Sequence, residues 1–110
     1  MDIREFRGVV IERQKILDYL LSPTHHVGQY KAEFFLALGY HQLVWKTLER
    51  DIRDLLKGSL AHAGRSPHGA KYTVSGWIVG PNGKSARILT VWIAAPEQHV
   101  LRFVTAYPEG

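Results

Sequence analysis

Residues able to move a proton or hold a phosphate fall in two stretches of this chain. One is a loop-and-helix segment carrying His25 and Lys31. The other spans residues 87–107 and carries Arg87, Thr90, Trp92, Arg102, Thr105 and Tyr107. Cleavage of RNA at a 2′-hydroxyl needs a base for that proton, an acid for the leaving 5′-oxygen and positive charge at the phosphate. His25 titrates near neutrality and suits either proton-transfer role. Lys31, Arg87 and Arg102 can supply charge, and Thr90 and Thr105 can hold non-bridging oxygens. Tyr107 can donate a proton or a hydrogen bond. Trp92 or Trp77 can stack a base.

Other chemistries fit less well. There are six histidines, but His25 and His26 are adjacent and His41, His62, His68 and His99 are scattered. No pair has the HxxxH or HExxH spacing of a zinc site. The absence of cysteine removes thiolate catalysis, disulfides and cysteine metal sites, and suits a reducing compartment. Gly80-Pro81-Asn82-Gly83-Lys84 lacks the spacing of a phosphate loop, and no serine sits in a nucleophile elbow. No metal and no cofactor is expected. Ordinary readings stand beside the chemical ones. Threonine, tyrosine and tryptophan are good strand residues, and Lys31 fits a helix surface. Arg102 shares strand parity with Val100 and Val104, so it fits a side chain reaching out from the core edge or paired with a carboxylate. Arg87 shares the parity of Leu89.

The elements that must position these residues follow from periodicity. A loosely alternating segment, Asp2 to Glu12, reads as partly extended. A first helix is predicted from near Ile11 to Leu21 on the stripe Ile16, Leu17, Leu20, Leu21, and Ser22-Pro23 stops it. A second runs from about Gly28 to Leu38, with Phe34, Phe35 and Leu38 inward and Gly39 as a left-handed stop. A third runs from about Leu43 to Ala61, with Glu49 and Arg53 spaced for an ion pair. Residues 62–70 read as a flexible connector.

Three strands then follow, at 71–79, 85–94 and 100–107. The turn Gly80-Pro81-Asn82-Gly83 joins the first two. On strict alternation, Leu89, Val91 and Ile93 face the helices. Lys71, Thr73, Ser75, Trp77, Thr90, Trp92, Thr105 and Tyr107 then line the opposite face. Helices followed by a meander predict a single α+β domain over 1–110. Its helical part spans about 11–61 and packs on a C-terminal antiparallel sheet at about 71–108.

Charge points toward an acidic partner or substrate. The net charge is +4, and the excess lies in the strand-rich half, which carries five basic and two acidic residues from His62 onward. Such a sheet suits RNA or an acidic protein, and equally suits ordinary solubility. No apolar run approaches the roughly 20 residues of a membrane span. The start MDIREFRG has no apolar signal core, so a cytoplasmic protein without a membrane role is expected.

These residues resemble a known family. The run ERQKILDYLLSPTHHVGQYKAEFFLALGY, the hairpin GPNGKSARILTVWI and the ending LRFVTAYP are similar to a small uncharacterised bacterial family. Its members are often encoded beside a short partner, in a toxin–antitoxin-like layout. The helices-then-sheet order and the TVWI and TAYP strands also resemble the barnase–EndoU–colicin–RelE group of metal-independent ribonuclease toxins. That resemblance implies a barnase/RelE-like fold and site positions at His25, Gly28, Lys31, Thr90, Trp92, Arg102, Thr105 and Tyr107. The chain departs from the pattern at His26, where a proline is expected, and at Leu89, where a polar or basic residue is expected.

The expected function is a metal-independent endoribonuclease, the toxin of a toxin–antitoxin or contact-dependent system. Its partners would be RNA and a small neighbour-encoded antitoxin or immunity protein. The alternative is a non-catalytic interaction module that binds an acidic protein or RNA.

Overall fold

The computed structural model describes residues 3–22, 24, 29–58, 60–95, 97 and 99–109. A 3₁₀ turn at Ile3–Glu5 precedes β1 (Gly8–Val10). Helix α1 (Arg13–Lys15) continues directly as a π-helical turn, Ile16–Leu20, followed by α2 (Gln29–Ala37). Helix α3 (Trp45–Asp54) is flanked by 3₁₀ turns at Gln42–Val44 and Leu55–Lys57. The strands β2 (Ala61–Ser66), β3 (Gly69–Val79), β4 (Ser85–Ala94) and β5 (Val100–Pro108) complete the chain.

The fold is α+β, as the order of elements predicts. The sheet is larger than expected and mixed rather than antiparallel. Five strands lie in the order β1-β5-β4-β3-β2, and β1 pairs with β5 in parallel. Residues 62–70 are therefore not a loose connector. They form most of an edge strand and the tight turn into β3, with Gly69 at φ +138°. The third helix ends at Lys57 rather than Ala61, because Gly58 leaves helical geometry (ψ −174°) and Ala61 already pairs with Thr73.

The helical stripes pack as their periodicity predicts. Ile16, Leu20 and Leu21, then Phe35 and Leu38, then Leu48, Ile52 and Leu56 are all buried. Glu49 and Arg53 form the expected pair at 3.5 Å. The sheet face that receives them differs in β4. The buried set is Ile88, Thr90, Trp92 and Ala94, joined by Val74 and Ile78 of β3 and by Leu101, Phe103 and Ala106 of β5. On the opposite face Leu89 and Ile93 are only half-buried, while Val91 between them is buried beside its strand partners Thr73 and Thr105. Alternation alone favours the purely aliphatic set. Burying the other set removes the tryptophan ring from water, a larger area. The hydroxyl and indole that come with it are fully paired. Thr90 Oγ1 donates to Val74 O at 2.9 Å and accepts from Trp92 Nε1 at 2.8 Å. No described buried side-chain nitrogen or oxygen lacks a partner.

Two contacts fix α2 on this framework. Its end is left-handed at Gly39 (φ +95°), and the β3–β4 turn docks there. Asn82 donates from its backbone N–H to Leu38 O at 3.3 Å and from Nδ2 to Ala37 O at 2.9 Å. A Cβ on Gly39 would lie 2.8 Å from Asn82 N. Next along the chain, the buried Tyr40 donates to Asp51 Oδ2 at 2.6 Å, tying α2 to α3. Burial, and then this bond to a carboxylate, push the Tyr40 hydroxyl far above its ordinary pKa.

Two substitutions test these pairings. Thr90→Val strips the partner from a buried indole N–H and from the Val74 carbonyl, and is expected to cost about 1–3 kcal/mol in urea unfolding. Tyr40→Phe is expected to cost about 1.5–3 kcal/mol at neutral pH. Because the folded pKa of Tyr40 is raised, its contribution is complete below the unfolded value of about 10 and declines above it. The stability gap between wild type and Tyr40→Phe should therefore narrow in melts recorded above pH 10.

Candidate functional site

The site is built on an irregularity in β5. Val91 pairs with Thr105 but Trp92 pairs with Phe103, so Val104 is an extra residue with no partner in β4. Such a bulge resets side-chain alternation. Before it, Leu101 and Phe103 enter the core while Arg102 points away, opposite Ile93. After it, Ala106 enters the core, and Thr105 and Tyr107 join the Arg102 face, opposite Val91 and Leu89. Strand β1 covers β5 only over Val100–Arg102. Beyond that point α1 and its π turn flank β5, leaving a cleft of about 500 Å³ lined by residues that include Lys15, Asp18, Tyr19, Val104 and Thr105.

Lys31 of α2 enters at this point, half-buried. Its ammonium donates to Tyr19 Oη at 2.7 Å and to Thr105 Oγ1 at 2.8 Å. It lies 5.0 Å from the Tyr19 ring centroid and 5.8 Å from that of Tyr107, within cation–π range. Among the described residues no carboxylate pairs with it. A lysine ammonium has three N–H donors, so one remains for a ligand beside these two contacts.

Tyr19 lies in the π-helical turn, closed by the bond from Leu21 N to Ile16 O at 2.9 Å. Turns of this kind recur at functional sites because the extra residue redirects a side chain. Burial raises the Tyr19 pKa, but hydrogen bonds from Lys31 and Thr105 and the charges of Lys31 and Lys15 outweigh it. The net effect holds the phenol below its ordinary value. The cluster thus sets a cation against a loosened phenol, and the phenol, with Thr105, lines the cleft. It can bind an oxyanion and exchange a proton beside it.

The structure brings together Lys31, Thr105 and Tyr107 of the residues singled out in the sequence. His25 and Gly28 lie outside the described residues. Thr90 and Trp92 do not line the open face as expected: both are 0% exposed, and their polar atoms bond each other and Val74 O. Arg102 is on the open face, contrary to its alternation with Val104, because Val104 is the bulge residue. Arg87 is on that face too, with its guanidinium bonded to Glu109 at 2.9 Å, which holds the exposed Glu109 carboxyl below its usual range. Trp77 is opposite Arg87 and 65% exposed, at the margin beside Asp51 and Asp54. Tyr19 was missed. Its sequence signal is a polar-tipped aromatic beside an apolar stripe, and its meeting with Lys31 depends on tertiary structure. Among the described residues no three metal-ligating side chains converge.

A family model matches residues 3–110. The chain belongs to the DUF6883 family, a domain of unknown function. No curated protein matches this DUF6883 chain. A solved chain from a contact-dependent growth inhibition toxin–immunity protein complex of Klebsiella pneumoniae 342 superposes with a TM-score of 0.73 at 19% identity. The match covers 98% of this chain and 97% of that one, so the two share their fold.

The Lys31 cluster can be tested directly. In a tyrosinate absorbance titration, referenced to Tyr19→Phe, Lys31→Met should move the Tyr19 inflection upward toward the ordinary phenol value. Thr105→Val should move it in the same direction by less.

Proposed function

We propose that this protein is a metal-independent endoribonuclease and the toxin of a toxin–antitoxin or contact-dependent system. One observation carries the reading: the Lys31 ammonium is held by the hydroxyls of two cleft-lining residues, Tyr19 and Thr105, with no carboxylate paired to it among the described residues. A paired carboxylate would cancel the charge, whereas hydroxyls orient it and leave it available to a phosphate. The shared fold with a chain from a toxin–immunity complex supports the toxin setting.

In this reading Tyr19 takes the 2′-hydroxyl proton, aided by the Lys31 and Thr105 contacts that favour its phenolate. The 2′-oxygen attacks phosphorus. The remaining Lys31 N–H and the Tyr107 hydroxyl hold the non-bridging oxygens as charge builds. The bond from phosphorus to the 5′-oxygen breaks, and His25 protonates that oxygen. The products are a 2′,3′-cyclic phosphate and a 5′-hydroxyl, with no change of oxidation state. The substrate is RNA in the cytoplasm, and a small neighbour-encoded antitoxin or immunity protein would silence the enzyme by covering the cleft.

A second reading makes the same lysine an anchor for an acidic partner, with no chemistry. It is favoured by the neighbour's origin in a complex, where an uncancelled cation would receive a carboxylate equally well.

Incubation with total RNA in EDTA separates the two. Wild type should leave cyclic-phosphate ends. Lys31→Met should be slower by about a hundredfold or more, and His25→Ala and Tyr107→Phe should also be impaired. The wild-type rate should rise with pH toward an inflection below the ordinary tyrosine value, and Tyr19→Phe should lack that rise. Uncut RNA at every pH would rule the enzyme out in favour of the anchor, and a Lys31→Met protein that cleaves as fast as wild type would overturn the mechanism built on Lys31.

A further inference from the structure

Arg102 does not meet the Lys31 cluster among the described contacts, yet the bulge puts it on the same face of β5 as Thr105, which bonds Lys31. Its partner Ile93 is two residues from Val91, the partner of Thr105. At about 3.4 Å per residue, Arg102 and Thr105 project about 7 Å apart along the sheet. Arg102 lines a concavity of about 540 Å³ with Arg7, Gly8, Val100 and Glu97. Parallel pairing of Gly8 with Val100 and of Val10 with Arg102 fixes β1 there, and Arg7 N–H donates to His99 O at 2.7 Å. Both arginines are exposed, and neither side chain has a partner among the described residues. Gly8 has no side chain, and a Cβ built on it meets nothing within 4 Å, so the floor between them is open.

We propose that Arg7 and Arg102 form a second phosphate subsite, which holds a backbone phosphate flanking the one at Lys31. This rests on the endoribonuclease reading and narrows its substrate to a polynucleotide strand laid along β5. Two guanidiniums with no partner among the described residues, beside one carboxylate, leave a net positive concavity, and planar guanidinium donors match phosphate oxygens. The open backbone of Gly8 admits a bulky strand. A mononucleotide or a dinucleoside monophosphate, which has a single phosphate, would not fill both subsites.

The test uses binding of an uncleavable deoxyoligonucleotide of about ten residues across a salt series, alongside RNA cleavage. For each of Arg7→Gln and Arg102→Gln, the slope of log affinity against log salt should shrink by about 0.7, the value for one lost contact on a single strand. Glu97→Gln should tighten binding. Arg50→Gln, on α3, should keep the wild-type slope. In cleavage, the preference of wild type for a decamer over a dinucleoside monophosphate, about tenfold or more, should collapse toward unity in the Arg7→Gln, Arg102→Gln double variant. Wild-type slopes in both arginine variants would overturn the subsite while leaving Lys31-dependent cleavage standing. Absence of oligonucleotide binding by wild type would also overturn the subsite, and absence of RNA cleavage as well would remove the ribonuclease reading with it.

Discussion

Everything at the candidate site depends on one extra residue in β5. With Val104 out of register, the same strand feeds the core through Leu101 and Phe103, then through Ala106. It also sends Arg102, Thr105 and Tyr107 to the other face. A regular strand of this sequence would force a choice. If Thr105 and Tyr107 faced outward without the bulge, Arg102 and Val104 would face the helices, exchanging Phe103 for a buried guanidinium. The bulge avoids that cost. It also falls where β1 stops pairing, so β5 has a free margin that α1 flanks and Lys31 of α2 reaches.

The second constraint is the polar pair inside the core. Thr90 and Trp92 bond each other and β3, and so let β4 turn its bulkiest side chain toward the helices without an unpaired donor. That choice decides which face of the sheet stays open. The open face then carries Leu89, Val91 and Ile93 along its centre line, with polar residues of β3 and β5 on either side. The TVWI strand thereby serves the site by holding up β5 while its own hydroxyl stays in the core.

Much of this was legible in the sequence. The three helical stripes, the glycine stop at Gly39, the Gly80–Gly83 turn and the outward Lys71, Thr73, Ser75 and Trp77 follow from local periodicity and turn chemistry. So does the pairing of Lys31, Thr105 and Tyr107 as candidates, though only the fold brings them into contact. What was illegible depends on non-local facts. Both faces of β4 are apolar, so alternation could not choose between them, and the winning face contains the threonine and the indole that a pattern rule assigns to solvent. A bulge leaves no sign in composition, so the parity of Arg102 was misread. The mixed sheet arises because a three-residue strand near the N-terminus joins the last strand, too short a segment for any period to show. Tyr19 sits on a π turn, off the 3.6-residue spacing used to read helices.

The cluster at Lys31 is a poor arrangement for stability alone. A half-buried ammonium pays for lost hydration, and a carboxylate would compensate it better than two hydroxyls do. Carboxylates are close at hand: Asp18 precedes Tyr19 and lines the same cleft, without an ion pair to Lys31. Elsewhere the chain does pair its charges, as Arg87 with Glu109 and Arg53 with Glu49. At Lys31 the hydroxyls and two aromatic faces orient the charge without cancelling it, and on the proposed reading an anion from outside would do so. The same contacts that orient the cation loosen the Tyr19 proton, so on the proposed reading one position would both attract a phosphate and take a proton beside it.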